Sequence, residues 1–259
     1  MNNTFNIQRF GLLLKRQWLE FGKIYLISLV VVFGVILTFY GFSLSSVLQE
    51  KRAFTPRELN FRVPLFLIFG FMFISVIAST YFAHLGQKSK AIIDLMLPAS
   101  TFEKFIAGIL FTAVLSALSY IALFYIIDLA FVAKIRGLYK NDELNMRYFF
   151  EKYNENVFNA IYLAPFFITS VFLLGSIYFE KFHYIKTAIV VMIFSGIWTA
   201  IIAKSSKVLF SGRIPINREQ TRHIFQNRDS GEIWLTILAI ALTLIFWAIT
   251  YVRLKEKEV

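Results

Sequence analysis

Residues 6–44 read NIQRFGLLLKRQWLEFGKIYLISLVVVFGVILTFYGFSL, and two helical patterns meet inside them. Over 6–23 the apolar residues Ile7, Phe10, Leu14, Trp18 and Phe21 recur every three or four positions, while Arg9, Arg16, Glu20 and Lys23 fall on the opposite face. From 24 to 44 there is no charged residue, and about 20 apolar residues at roughly 1.5 Å each are enough to cross a hydrocarbon core of about 30 Å. The first half is expected to lie on a membrane as an interfacial amphipathic helix, and the second to cross it. A basic face of this kind suits an anionic cytoplasmic leaflet, which places the N-terminus on the cytoplasmic side.

Five further runs repeat the second pattern, at 63–84, 105–132, 158–179, 187–203 and 233–252. The sequence therefore predicts an all-α polytopic membrane protein of six transmembrane helices, forming one transmembrane domain over 1–259. An even number of spans puts the C-terminus on the same side as the N-terminus. Composition agrees, since 58% of residues are hydrophobic, more than a soluble domain of 259 residues can bury. The net charge of +11 would suggest nucleic acid in a soluble protein, but here the cations lie between apolar runs as loop and anchor residues that meet lipid headgroups. Nucleic acid is excluded as a partner on that ground, and membrane lipid takes its place. Lys and Arg divide almost evenly between the two sets of loops, so charge alone does not orient the chain. Tyr25, Tyr81, Tyr178 and Tyr251 at one level, and Tyr40 and Trp234 at the other, are expected to form aromatic belts. No cleavable signal is expected, because the first apolar run follows an amphipathic stretch and lacks a small-residue cleavage site.

Chemistry in the spans is sparse. There is no cysteine, and His84, His183 and His223 never stand at the spacing that puts two rings on one metal, so neither a metal site nor a catalytic site is expected. Asp128 is the one carboxylate within a span, but it lies 23 residues after Phe105, roughly 35 Å of helix, and is expected at the interface in a structural role. No G-x-x-x-x-G-K-[ST] occurs, the nearest fragment being Gly22-Lys23 followed by Ile24, so any ATP must be bound by another chain. A secondary transporter or channel is the alternative reading; it would need acidic groups near the midplane or a three-plus-three repeat, and neither is evident.

The loops carry more information. In GQKSKAIIDLMLPASTFEK (86–104) a short amphipathic helix over 88–97 is expected to end at Pro98, and Ser100 with Glu103 matches the capping box that starts the next helix. The other loops, 45–62, 133–157, 180–186 and 204–232, are polar and short. Among them 133–157, with Tyr148, Phe149 and Phe150, is expected to carry a short surface helix. The 204–232 segment is expected to be a polar loop, the alternative that Val208, Leu209 and Phe210 with the Pro215 turn dip into the interface being disfavoured because irregular backbone at depth needs protein cover.

The opening FNIQRFGLLLKRQWLEFGK (5–23), LPASTFEKF (97–105), six spans without a large external domain and the closing YVRLKEKEV (251–259) together resemble the permease subunit of type-two ATP-binding-cassette (ABC) transporters, which are largely exporters. The resemblance implies that 6–23, with Arg9, Phe10, Arg16 and Trp18, is the elbow helix. It implies that 86–98 is a cytoplasmic coupling helix whose Lys88, Lys90, Ile92, Ile93, Asp94 and Leu95 dock on a separate ATPase subunit. It further implies a second permease copy or paralogue, ATP and Mg²⁺ on the partner ATPase, and a bacterial inner-membrane location with both termini cytoplasmic. The chain departs from several relatives in lacking a recognisable pair of re-entrant helices between spans five and six.

Overall fold

In the computed structural model, residues 5–50, 56–86, 92, 94, 96–138, 148–150, 163–210 and 228–257 are described. Helix α1 (Ile7–Glu50) is one unbroken run of 44 residues, so the expected boundary between an interfacial helix and the first span is not a break in the chain. The physical reason is local: only Gly22 interrupts good helix formers there, and one glycine costs about 1 kcal/mol without removing a hydrogen bond. A short 3₁₀ turn (Pro56–Phe61) leads into α2 (Arg62–Tyr81), where Pro64 sits in the first turn and forfeits no internal bond. The 3₁₀ turn Ala83–Gly86 follows, and after the 92–100 connection α3 (Thr101–Ile109) runs through a π-helical stretch (Leu110–Leu115) into α4 (Ser116–Leu138). Helices α5 (Ala164–Tyr178), α6 (His183–Phe210) and α7 (Arg228–Lys257) complete the described elements, with no strand among them.

Five stretches are long and apolar enough to cross a bilayer: 7–45, 59–81, 101–137, 183–205 and 236–257. The fourth expected span appears as the shorter α5, of 15 residues, preceded by residues 158–162 outside the described ones. This defines an all-helical, polytopic membrane protein. The helices alternate in direction between two ends. Phe102 and Phe105 lie against Tyr251 (ring centroids 6.3 and 5.5 Å), and Arg9 reaches Glu103, so residues near both termini meet at one end of the bundle. Tyr40, Arg62, Asp128 and Phe149 meet at the other.

The core runs along α2, which packs on α1, α4 and α5, while α5 also contacts α6 and α7. Small and hydroxylated residues let the helices approach: Thr169, Ser170, Gly175 and Ser176 of α5 are all buried, and a Cβ at Gly175 would collide with Thr187 of α6. The buried hydroxyls turn back onto their own helices, as when Thr169 donates to the Phe166 carbonyl (2.8 Å) and Ser176 to that of Leu173 (2.6 Å). The link from α5 to α6 is tight, and Phe182 takes a left-handed conformation (φ 55°) within it.

Three expectations change here. Tyr25, Tyr40 and Tyr81 are not an aromatic belt on lipid but are buried, and their hydroxyls are bonded inside the bundle to Ser119 and the Leu115 carbonyl, to Asp128, and to Gln17. Of the short surface helix expected within 133–157, Phe149 and Phe150 are helical as expected, but Phe149 is fully buried between Phe66 and Phe124 rather than on the surface. Val208, Leu209 and Phe210, expected in the 204–232 loop, continue α6, and Pro215 lies outside the described residues. Asp128, expected at the interface, is instead fully buried and bonded to Arg62, Tyr40 and the Phe149 amide.

Candidate functional site

The start of α3 organises one end of the molecule. Ser100 has an extended backbone (φ −72°, ψ 152°), its hydroxyl accepts from the Glu103 amide (3.2 Å), and the Glu103 carboxylate accepts from the Ser100 amide (2.9 Å). This is the reciprocal capping box that the sequence predicts, with two otherwise free donors satisfied. Glu103 does more than cap. Arg9 donates through Nε to both carboxylate oxygens (2.8 and 3.1 Å) and through Nη2 to Oε1 (2.6 Å), and the Asn6 amide donates to Oε1 (2.9 Å). One buried carboxylate thereby ties the first turn of α1 to the first turn of α3. Such a fork of charge-assisted bonds fixes orientation as well as adding energy.

Lys104, the next residue, is buried too and faces a different partner. Its Nζ donates to the Asp94 carbonyl (2.8 Å) and pairs with the Asp94 carboxylate (3.3 Å). His84 brings Nε2 to 3.9 Å from the same carboxylate, while its Nδ1 stands 3.0 Å from the Tyr81 carbonyl at the end of α2. Adjacent charges of opposite sign on one helical turn thus clamp two separate segments: Glu103 holds α1 and Lys104 holds the 92–97 turn. Breaking one partner of a buried pair is far more disruptive than the pair's net contribution, because a charge is left behind without compensation.

The 92–97 turn is helical where it is described, with the Met96 amide donating to the Ile92 carbonyl (3.1 Å) and the Leu97 amide to that of Asp94 (3.2 Å), and it stops at Pro98 as expected. It has two faces. Asp94 turns inward, whereas Ile92 (57% exposed) and Met96 (79% exposed), four residues apart on one side, turn out. Asp94 is therefore committed within the chain and is not an open docking contact. Lys88, Lys90, Ile93 and Leu95 lie outside the described residues.

The residues assigned to the interfacial helix take roles inside the protein. Arg9 points at Glu103 and not at a headgroup, and Phe10 packs on Leu13, Ala99 and Ala107. Trp18 stacks on Phe111 of the π-helical stretch (6.3 Å), next to Tyr25, whose hydroxyl donates to the Leu115 carbonyl (3.1 Å). Arg16 stands 4.0 Å from Glu20 one turn on. Of the apolar stripe, Phe10 and Leu14 are partly buried toward α3 and Phe21 is buried against Tyr25 and Tyr81, while Ile7 and Trp18 stay exposed. His183 begins α6, and His223 lies outside the described residues. Among the described residues no three His, Cys, Asp or Glu side chains gather as metal ligands. At this end Glu103 is paired with Arg9, and Lys104 with Asp94.

Glu103 was legible as a cap but not as the partner of Arg9, 94 positions away, and Lys104 and Met96 carried no signal of their own. Compared with protein-family models, with curated proteins and with solved structures, the chain shows no match in any of the three.

Proposed function

We infer that this chain is the permease subunit of a type-two ABC exporter, moving its cargo as a dimer with a second copy or paralogue and driven by an ATPase on a separate subunit. The observation that carries the reading is the two-faced turn at 92–97. Its outer face offers Ile92 and Met96, and its inner face is bolted through Asp94 to Lys104, beside the Glu103 bolt to Arg9. A docking surface is useful to a transporter only when displacement there reaches the spans, and this turn connects to two of them within a few residues. ATP and Mg²⁺ belong to the partner, since the chain has no phosphate-cradling P-loop.

A second copy is supported by α6. From residue 189 to 205 every position is exposed, including Phe194, Trp198 and Ile202, and among the described residues nothing lies within 4 Å of a Cβ built on Gly196, so this length of helix presents an apolar face outward. Small residues such as Ser195, Gly196 and Thr199 suit close helix packing in lipid. Read as the elbow helix of that family, the N-terminal segment would put both termini in the cytoplasm of a bacterial cell.

The test is Ile92→Ala with Met96→Ala in the full chain. Each truncation removes roughly 1.5–3 kcal/mol of apolar burial at a docked interface, so retention of the ATPase subunit on the purified permease falls by at least about tenfold. Undiminished retention would remove this turn from the interface, and transport with no ATPase present would favour the secondary transporter or channel.

A further inference from the structure

The end of the bundle remote from the termini holds a separate device. Ten residues beyond the end of α4, Tyr148, Phe149 and Phe150 return and insert between α2 and α4. The Phe149 ring is fully buried against Phe66 (5.1 Å) and Phe124 (5.0 Å), Phe150 sets its edge on Phe66 (5.7 Å), and Tyr148 lies under the Arg136 guanidinium (4.6 Å). The backbone of this wedge is held by a charge, because the Phe149 amide donates to Asp128 Oδ2 (2.9 Å). The other oxygen of Asp128 accepts from Arg62 Nη1 (2.8 Å) and from the Tyr40 hydroxyl (3.0 Å), and Arg62 also donates from Nε to the Leu59 carbonyl (3.2 Å).

An apolar wedge does not need a buried ion pair for stability, since replacing such a pair by packed hydrophobic groups is often neutral or better. The division of labour between the two oxygens gives the pair a purpose. Oδ1 carries the bonds that join α1, α2 and α4, while Oδ2 carries the bond to the wedge. The wedge can therefore leave without stranding the charge: Asp128 stays paired with Arg62 and Tyr40, and Oδ2 takes a water in place of the amide.

The geometry points to residues 148–150 as a releasable latch that closes the far end of the bundle between α2 and α4, with the Asp128 carboxylate as its catch. Latch release takes Phe149 away from Phe66 and Phe124 and uncovers the groove they line, while the Arg62–Asp128 pair and the Phe66–Phe124 contact hold α2 against α4. This holds whether or not the chain is an ABC permease.

The test is amide hydrogen exchange on the full chain in detergent or lipid discs, comparing wild type with Asp128→Asn and Phe149→Ala. Asn presents an NH₂ where Oδ2 accepts, and Phe149→Ala removes the ring while leaving the ion pair untouched. Exchange in the 148–150 peptide rises by about tenfold or more in either variant, the scale of losing one charge-assisted bond or one buried aromatic ring. In Phe149→Ala, peptides from α2 and α4 keep wild-type protection, whereas Asp128→Asn, which also leaves the buried Arg62 without its counter-charge, raises exchange at the start of α2 as well. If Asp128→Asn does not yield monodisperse protein, Phe149→Ala carries the test alone. Unchanged exchange at 148–150 in either variant, or a rise in Phe149→Ala shared equally by α2 and α4, overturns the latch.

Discussion

Replacing Glu103 by Gln tests the junction between α1 and α3 with the least change in shape. The substitution keeps one carbonyl oxygen but turns the other acceptor into a donor, facing either the Arg9 fork or the amides of Asn6 and Ser100. Arg9 is then left beside a neutral group. Breaking a fully buried pair costs roughly 3–5 kcal/mol; the Arg9 side chain is 28% exposed and can recover water, so the loss is about 2–3 kcal/mol. For a chain of this length each kcal/mol lowers the melting midpoint by about 2–4 °C, which gives a fall of roughly 4–12 °C. The assay is thermal melting in detergent followed by size-exclusion fluorescence, with Arg9→Gln and the double variant completing a mutant cycle. The double variant recovers about 1 kcal/mol or more relative to the sum of the single changes, because the two residues act on one bond. A midpoint for Glu103→Gln within about 1 °C of wild type, or strict additivity in the cycle, would refute the reasoning.

Lys104→Met removes the inner bolt of the 92–97 turn and leaves Ile92 and Met96 in place, so binding to the ATPase persists while ATP-dependent transport in proteoliposomes drops by about tenfold or more, a loss of about 1.4 kcal/mol of coupling. Gly175→Leu forces a side chain into Thr187 and lowers stability by about 1–3 kcal/mol, read as a lower melting midpoint, with partial rescue by Thr187→Ala. Phe182→Gly relieves a left-handed conformation at an exposed position and raises the midpoint, the expected gain being about 1 kcal/mol.

How far the sequence could be read follows the range of the interactions involved. Five of the six long apolar runs, the stop at Pro98 and the Ser100–Glu103 cap are set by residues within one or two turns and stand in the structure where the pattern puts them, while the run at 158–179 is described only as the shorter α5. Tyr25, Tyr40 and Tyr81 misled because a tyrosine near a span end gives the same local signal whether its hydroxyl meets a headgroup or a neighbouring helix. The amphipathic stripe of 6–23 is ambiguous in the same way: a face that suits lipid also suits α3, and Arg9 declares its partner only when Glu103 is brought across 94 residues of chain. Phe149 was hidden by its setting in a polar loop, and its burial depends on Asp128, which is 21 positions earlier. The π-helical stretch at Leu110–Leu115 has no sequence signature beyond Thr112 and Ser116, whose hydroxyls turn back onto the carbonyls of Gly108 and Thr112.

The central claim is that this chain is moved by an engine on another chain. Purification of the intact protein from its own membrane in mild detergent, with mass-spectrometric identification of the stoichiometric partners, tests that claim directly. A soluble subunit carrying a P-loop is predicted to co-elute and to be lost in the Ile92→Ala, Met96→Ala variant. A purified wild-type chain that transports with no nucleotide-binding subunit attached would contradict the account.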